Sequence, residues 1–309
     1  MKLYILKRFL MMIVTILIIA SLTFCLMHWI PGSPLDQDRA LSAAVENNLR
    51  QFYHLDEPLY MQYWHYMVSI FTFDFGPSIS QPDTTVQTLL WRAFPISFEL
   101  GILAVCVAVV SGISLGVLAA LRHNGWIDYF AMGFAVLGIS IPNFILATFL
   151  IQEFAVNLGW FPAATWRTAW HMVLPITALA TTPMAVIARL TRSSMLETLT
   201  QDYIRTAKAK GLSPWRVVVR HALRNALMPV VTLLGTLLAS ILTGTFVIEK
   251  IFAIPGMGRY FIDSISNRDY PVIMGTTVFY STILVVLLFL VDIAYCVLDP
   301  RIRLDKKGN

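Results

Sequence analysis

Residues 93–121 read AFPISFELGILAVCVAVVSGISLGVLAAL, and Glu99 is the one charged side chain among them. A helix needs about 20 mostly apolar residues to cross the hydrocarbon core of a bilayer, and this run exceeds that length. The stretch therefore predicts a transmembrane helix and indicates that lipid, rather than water, is the solvent around much of this chain.

Comparable apolar runs recur along the 309 residues, of which 57% are hydrophobic and 13% charged. An average soluble domain carries about 25% charged residues. The first run is longer than the apolar region of a typical signal peptide, so we expect a retained helix. The fold class that this pattern predicts is an all-α polytopic membrane protein with six transmembrane helices. The predicted spans are residues 9–30, 93–121, 129–158, 172–190, 225–248 and 270–298 of a single domain, 1–309.

Lys and Arg are unevenly distributed between the two sides of this arrangement. Sixteen of them fall in the two terminal segments, the 122–128 turn and the segment before the fifth span, whereas seven fall in the three opposite loops. Because cytoplasmic loops are enriched in Lys and Arg, both termini are predicted to be cytoplasmic. The net charge of +5 therefore relates to membrane topology, and a nucleic-acid partner is not expected.

Residues 31–92 are predicted to form an external insert that contains a helix. Asp56 and Pro58 are suitable residues for its N-terminus, and the apolar pattern continues through residue 70. Aromatic side chains in such a helix commonly lie at the level of the lipid headgroups, although a ligand-binding role is an alternative. These aromatic residues are Tyr60, Tyr63, Trp64 and Tyr66.

Residues 195–224 form a basic cytoplasmic segment, and with the residues that follow they read MLETLTQDYIRTAKAKGLSPWRVVVRHALRNALMP over 195–229. We expect a helix over about 196–210 that Gly211 and Pro214 end. Tyr203, Ala207 and Gly211 are four residues apart and would share one face. Two of these residues are small, so a groove on another protein could approach the backbone closely. A solvated loop that serves topology alone is the alternative.

The Arg205-Thr206-Ala207 sequence, followed after three residues by Gly211, resembles the EAA loop of bacterial ABC importer permeases. Arg205 and Thr206 stand where that family usually has Glu and the first Ala. Pro229 comes five residues later than the general pattern places it, and both changes are common in the peptide-transport branch. In that family the loop forms a coupling helix that docks into a cleft on a cytoplasmic ATPase. The resemblance assigns ATPase coupling to Tyr203, Arg205, Thr206, Ala207, Lys208 and Gly211.

Other stretches are similar to the oligopeptide, dipeptide and nickel branch of the family, and most similar to the oligopeptide permeases. They include residues 28–34, 74–78, 267–270 and 299–303. The resemblance implies the type I ABC importer permease fold in a bacterial inner membrane and a role as half of the translocation path for oligopeptides. Dipeptide or nickel import is the alternative. It also implies a second, homologous permease subunit, two ATPase subunits and an external peptide-binding protein.

Catalytic motifs do not account for this sequence. None of the 16 glycines is followed by Lys, so the chain has no phosphate-binding loop of its own, and no cofactor is expected. Residues 112–116 match both the GxSxG pattern of a nucleophilic Ser114 and the GxxxG pattern of packed membrane helices. The second interpretation is favoured because the stretch lies in an apolar run.

Two rival functions depend on ionisable or nucleophilic side chains within the spans. An intramembrane hydrolase would use Ser114, and a proton-coupled carrier would use Glu99 and Glu153. Charged groups in spans are often functional, yet structural pairing is expected for both glutamates and for Asp292. The alternative is that they face the translocation cavity. The hydrolase would require a base near Ser114, and no histidine lies in that span. The carrier would need no ATPase, so the 195–224 segment would have no role.

Overall fold

The computed structural model describes residues 2–29, 50–51, 54 and 56–298. Regular structure among these residues is helical, apart from one antiparallel bridge between Pro77 and Thr85. Two π-helical stretches, Ile151–Asn157 and Val217–Ala222, continue the α-helices that end at Leu150 and Arg216. The helices are α1 (Lys2–Trp29), α2 (Leu59–Thr72), α3 (Val86–Leu121), α4 (Trp126–Ser140), α5 (Asn143–Leu150), α6 (Ala169–Leu199), α7 (Asp202–Ala209), α8 (Pro214–Arg216), α9 (Leu223–Ala226), α10 (Met228–Ile251), α11 (Met257–Ser266) and α12 (Tyr270–Leu298).

Four of the described helices, α1, α3, α6 and α12, are long and apolar enough to cross a membrane. Two further spans result if each of two bent helix pairs counts as one crossing. The first pair is α4 with α5 and its π-helical continuation, and the second is residues 214–226 with the first half of α10. The all-α prediction is therefore confirmed, with four to six candidate spans in the described part of the chain.

The predicted span 129–158 is not one straight helix, because its two halves meet at 105°. Pro142 causes this bend. A proline disfavours helical backbone at the residue before it, and Ile141 is accordingly extended, with φ −90° and ψ 118°. The predicted span 225–248 also contains a bend, of 51°, between α9 and α10. Hydropathy detects both apolar runs but does not reveal these bends.

The structure divides into two compact units, and the first contains residues 1–97 and 255–309. In this unit α1 packs along α12, and Arg8 pairs with Asp292 at 3.2 Å. The buried Asp269 carboxylate accepts hydrogen bonds from the Ser78 hydroxyl at 2.5 Å and the Ser80 N–H at 2.9 Å. Asp269 thereby holds the loop before α3 against the start of α12.

Helix α2 begins directly after Pro58, as predicted, and ends at Thr72. Tyr66 is buried in a core with Phe24 of α1, whereas Tyr60 and Trp64 are 73% and 64% exposed. The Tyr63 hydroxyl is 2.8 Å from the Ser21 hydroxyl of α1. The aromatic residues of α2 therefore divide between the core of this unit and its surface.

The second unit contains residues 98–254, and α6 packs within it against α4, α5 and α10. The two carboxylates predicted to be paired in the second and third spans both have partners here. Glu99 accepts a hydrogen bond from the Trp166 indole N–H at 3.2 Å, and Glu153 accepts one from the Asn157 amide at 3.1 Å. These contacts support structural pairing of both glutamates.

Gly112 and Gly116 lie where α3 contacts α6. A Cβ added to Gly116 would meet the Ala188 carbonyl oxygen at 2.5 Å, and one added to Gly112 would meet Ile187 at 2.9 Å. The Ser114 hydroxyl donates to the Val110 carbonyl of its own helix at 2.7 Å. The 112–116 motif is therefore a close-packing site inside a helix, since a nucleophile elbow needs a strand-to-helix turn.

Alanine substitutions at two helical glycines test this packing, because they are expected to change the stability of the protein in opposite directions. Gly133 of α4 has no atom within 4 Å of an added Cβ, so Gly133→Ala should stabilise the protein by about 0.5–1 kcal/mol. Gly116→Ala forces overpacking and should destabilise it by about 1–3 kcal/mol. Unfolding of the purified chain in detergent measures both effects. Equal changes in the free energy of unfolding for the two variants would contradict the close approach of α3 and α6.

Candidate coupling site

The helix predicted over residues 196–210 is interrupted, and this corrects its expected boundaries. Helix α6 ends at Leu199, and α7 begins at Asp202. Gln201 between them is extended, with φ −68° and ψ 150°, and its carbonyl accepts the first hydrogen bonds of α7. Asp202 then places a carboxylate in the first turn, where a negative charge stabilises the partly positive helix N-terminus.

One side of α7 is buried against other helices of the same chain. Ile204 is fully buried and Ala207 is 5% exposed. They pack in an apolar cluster whose other buried members are Ala120, Met195, Val217, Val218, Ala222 and Ala226. This cluster joins the ends of α3 and α6 to α7 and to the π-helical stretch after α8. Ala207 therefore does not share an exposed face with Tyr203, because its methyl group packs in this core, and its coupling role stays a prediction.

The remaining predicted coupling residues lie at the surface. Tyr203 is 41% exposed, and its hydroxyl accepts a hydrogen bond from the Asn225 amide at 2.7 Å. Arg205 is also exposed and lies 3.6 Å from Asp202. The exposed predicted residues are Tyr203, Arg205, Thr206, Lys208 and Gly211, and Lys210 extends the same basic surface. We call this surface the coupling face.

Gly211 ends α7 in the left-handed conformation, with φ +74°. The Gly211 N–H donates to the Lys208 carbonyl at 3.0 Å, and the Leu212 N–H donates to the Ala207 carbonyl at 3.4 Å. Leu212 also packs against the apolar cluster that contains Ala207. These two hydrogen bonds and the apolar contact form a Schellman motif. A Cβ at Gly211 would meet no atom within 4 Å, so backbone conformation, rather than space within this chain, favours glycine there.

The sequence did not predict the ion pair that Arg192 and Asp128 form. Arg192 of α6 donates to the Asp128 carboxylate with two nitrogens, at 2.5 and 2.7 Å. Asp128 is 2% exposed and also accepts the Asn124 N–H at 3.0 Å. The Arg192 side chain is 24% exposed, so the pair is only partly buried. The pair fastens the turn before α4 to the part of α6 that leads into the coupling face.

The coupling face is an exposed surface of this chain. It combines a short helix of fixed orientation, exposed basic side chains and a backbone turn open to solvent. Arg205 and Lys208 could contact acidic groups of a partner. The Thr206 hydroxyl donates to the Asp202 carbonyl at 3.0 Å, so it could accept a hydrogen bond from a partner.

Family comparisons cover nearly all of the chain. Residues 112–304 match the family described as binding-protein-dependent transport system inner membrane component. Residues 1–97 match the N-terminal family of the same membrane components.

Two relatives extend over almost the full length of this chain. The dipeptide transport system permease protein DppB of Bacillus subtilis is 68% identical over 305 residues, which are 99% of each chain. The oligopeptide transport system permease protein OppB of Haemophilus influenzae is 44% identical over 302 residues, covering 97% of this chain and 99% of the relative.

A solved structure shares the fold at low sequence identity. The inward-facing MetNI methionine ABC transporter aligns with a TM-score of 0.52 at 19% identity, over 67% of this chain and 92% of the matched chain. This agreement supports the type I ABC importer permease fold that the sequence resemblance implies. The chain belongs to the binding-protein-dependent inner-membrane permeases of ABC importers, whose role is transport and not catalysis.

Proposed function

We propose that this chain is the permease of an ATP-driven importer of short peptides and that its coupling face docks onto a cytoplasmic ATPase. Membership of the binding-protein-dependent family implies ATPase and binding-protein partners. The observation that best supports a docking role is the exposed basic surface of α7, which the buried Ile204 holds in one orientation. A merely solvated loop would not need this buried anchor.

The proposed assembly contains a second, homologous permease subunit, two ATPase subunits and an external peptide-binding protein. The excess of Lys and Arg in the terminal and 189–224 segments supports a cytoplasmic coupling face and cytoplasmic termini. ATP binding would close the ATPases, move the two coupling helices and open the peptide path outward. Such a change requires the ATPases to contact the two permease states differently.

The comparisons favour dipeptides over the longer peptides expected from the sequence resemblance. A dipeptide permease is 68% identical to this chain, whereas an oligopeptide permease is 44% identical, and both alignments cover at least 97% of it. This difference supports the dipeptide alternative as the main proposal. Import of oligopeptides or nickel becomes the alternative.

Uptake by the complete importer distinguishes these substrates. Cells that lack other peptide importers, but carry this chain with its partner subunits, should take up labelled dipeptides. Excess unlabelled dipeptide should compete strongly, whereas tetrapeptides and pentapeptides should compete weakly. Cells lacking only this chain provide the control for background uptake. Equal competition by pentapeptides would contradict the dipeptide assignment, and nickel uptake without peptide uptake would overturn the peptide assignment.

Two glycines with the same backbone conformation test the coupling role. Gly211 has φ +74° and Gly159 has φ +64°, and neither has an atom within 4 Å of an added Cβ. Alanine should impose a similar strain at each position, of about 1–2 kcal/mol. If the end of α7 positions the coupling face, Gly211→Ala should lower binding-protein-stimulated ATPase activity and peptide uptake far more than Gly159→Ala does.

The comparison requires equal abundance of both variants in the membrane. Gly211→Asn should retain more activity than Gly211→Ala, because Asn adopts the left-handed conformation more readily. Equal activity of Gly211→Ala and Gly159→Ala would contradict a coupling role for this helix end.

A further inference from the structure

Two histidines and a glutamate meet beside α2, in the unit formed by residues 1–97 and 255–309. The His54 Nδ1 atom lies 2.8 Å from Glu57 Oε1, and the His65 Nε2 atom lies 3.2 Å from Glu57 Oε2. The candidate ligand atoms of all three residues lie within 4.8 Å of one another. They belong to no part of the coupling face and serve no step of the proposed transport mechanism.

The local backbone holds these three side chains together. His65 lies in the middle of α2, and Glu57 lies two residues before its first residue. The Glu57 carbonyl accepts the Gln62 side-chain amide at 2.8 Å, and the Glu57 N–H donates to the His54 carbonyl at 3.1 Å. This turn brings the His54 ring parallel to the His65 ring, with 4.3 Å between ring centroids and 7° between planes.

We propose that His54, Glu57 and His65 form a binding site for a divalent transition-metal ion of the Zn²⁺ class. Two imidazoles and one carboxylate are a donor set that binds Zn²⁺ and leaves a fourth position open. Ligand bonds of about 2.0–2.1 Å in a tetrahedral site separate donor atoms by about 3.3 Å. The observed spacings of 2.8 and 3.2 Å, each to a different oxygen of Glu57, are close to this value. The two parallel rings must turn toward a common point for both nitrogens to bind one ion.

The chemistry of the same atoms sets the selectivity of the site. Imidazole nitrogens favour Zn²⁺, Cu²⁺ and Ni²⁺, whereas Mg²⁺ and Ca²⁺ prefer six or more oxygen ligands. The histidine nitrogens that now face Glu57 must be unprotonated to bind an ion.

The site adjoins a cavity of about 240 Å³. His54 and His65 both belong to its lining, together with Tyr66, Ser69, Asp74 and Phe75. An ion held by the two histidines would border this cavity. The ion would also connect His54 to α2, because His54 precedes the turn at Glu57 and His65 lies in the helix that follows it.

Metal titration of the full chain tests this site directly. The protein is purified in detergent through a tag without histidines, stripped with a chelator and titrated with ZnCl₂ by calorimetry. One saturable site per chain is expected, and excess MgCl₂ should not displace the ion. His65→Ala should weaken binding by more than about 100-fold, because loss of even an outer partner of a ligand costs about 10- to 100-fold. Replacing Zn²⁺ with Co²⁺ should give the visible absorption of a four-coordinate site.

Matched variants separate ligand loss from misfolding. His171→Ala removes a histidine that contacts Thr168 instead, and it should leave Zn²⁺ affinity unchanged. Glu57→Gln keeps the shape and most hydrogen-bonding capacity of the side chain but removes the anionic ligand, so it should also weaken binding. Absence of saturable binding, or equal affinity of the unmodified chain and the His65→Ala variant, would show that the three residues form only a hydrogen-bonded cluster.

Discussion

The coupling face depends on the burial of two apolar side chains beneath an eight-residue helix. Isolated helices shorter than about 12–15 residues are marginal in water, so α7 needs support from the rest of the chain. Ile204 and Ala207 provide it by packing into the cluster beneath α7. Since both point inward, helical geometry directs Arg205, Thr206 and Lys208 outward.

The same cluster connects α7 to the membrane-spanning part of its own unit. Met195 comes from the end of α6, and Val217 comes from the π-helical stretch that leads to α9 and α10. Closely packed side chains resist independent displacement. The Asp128–Arg192 ion pair also joins α6 to the turn before α4.

Composition predicted the fold class, because an apolar run longer than 20 residues has few alternatives to a membrane helix. The boundaries of the individual helices were less predictable. The bend at Ile141 follows from a local rule about Pro142, but its 105° angle depends on tertiary packing. The break at Gln201 was missed because nothing in residues 196–210 obliges a helix to stop there.

The local structure of the coupling face was predicted in part, while its docking role stays a prediction. The glycine end of α7 followed from sequence, and Gly211 does adopt the left-handed backbone. The orientation of Ala207 did not follow, because residue spacing shows which side chains share a face but not which face is buried. The Asp128–Arg192 pair joins residues 64 positions apart, and such contacts leave no local pattern. The His54, Glu57 and His65 cluster depends similarly on a turn whose path the sequence does not reveal.

Site-specific photocrosslinking to the ATPase tests the central claim most directly. A photoreactive amino acid placed at position 206, on the coupling face, should crosslink to the ATPase subunit in membranes that contain the complete importer. Position 122 offers a control, since Arg122 is exposed and is predicted to lie on the same side of the membrane. Efficient crosslinking from position 206 and little from 122 is expected. Absence of an ATPase adduct from position 206, in an importer that transports normally, would contradict the account.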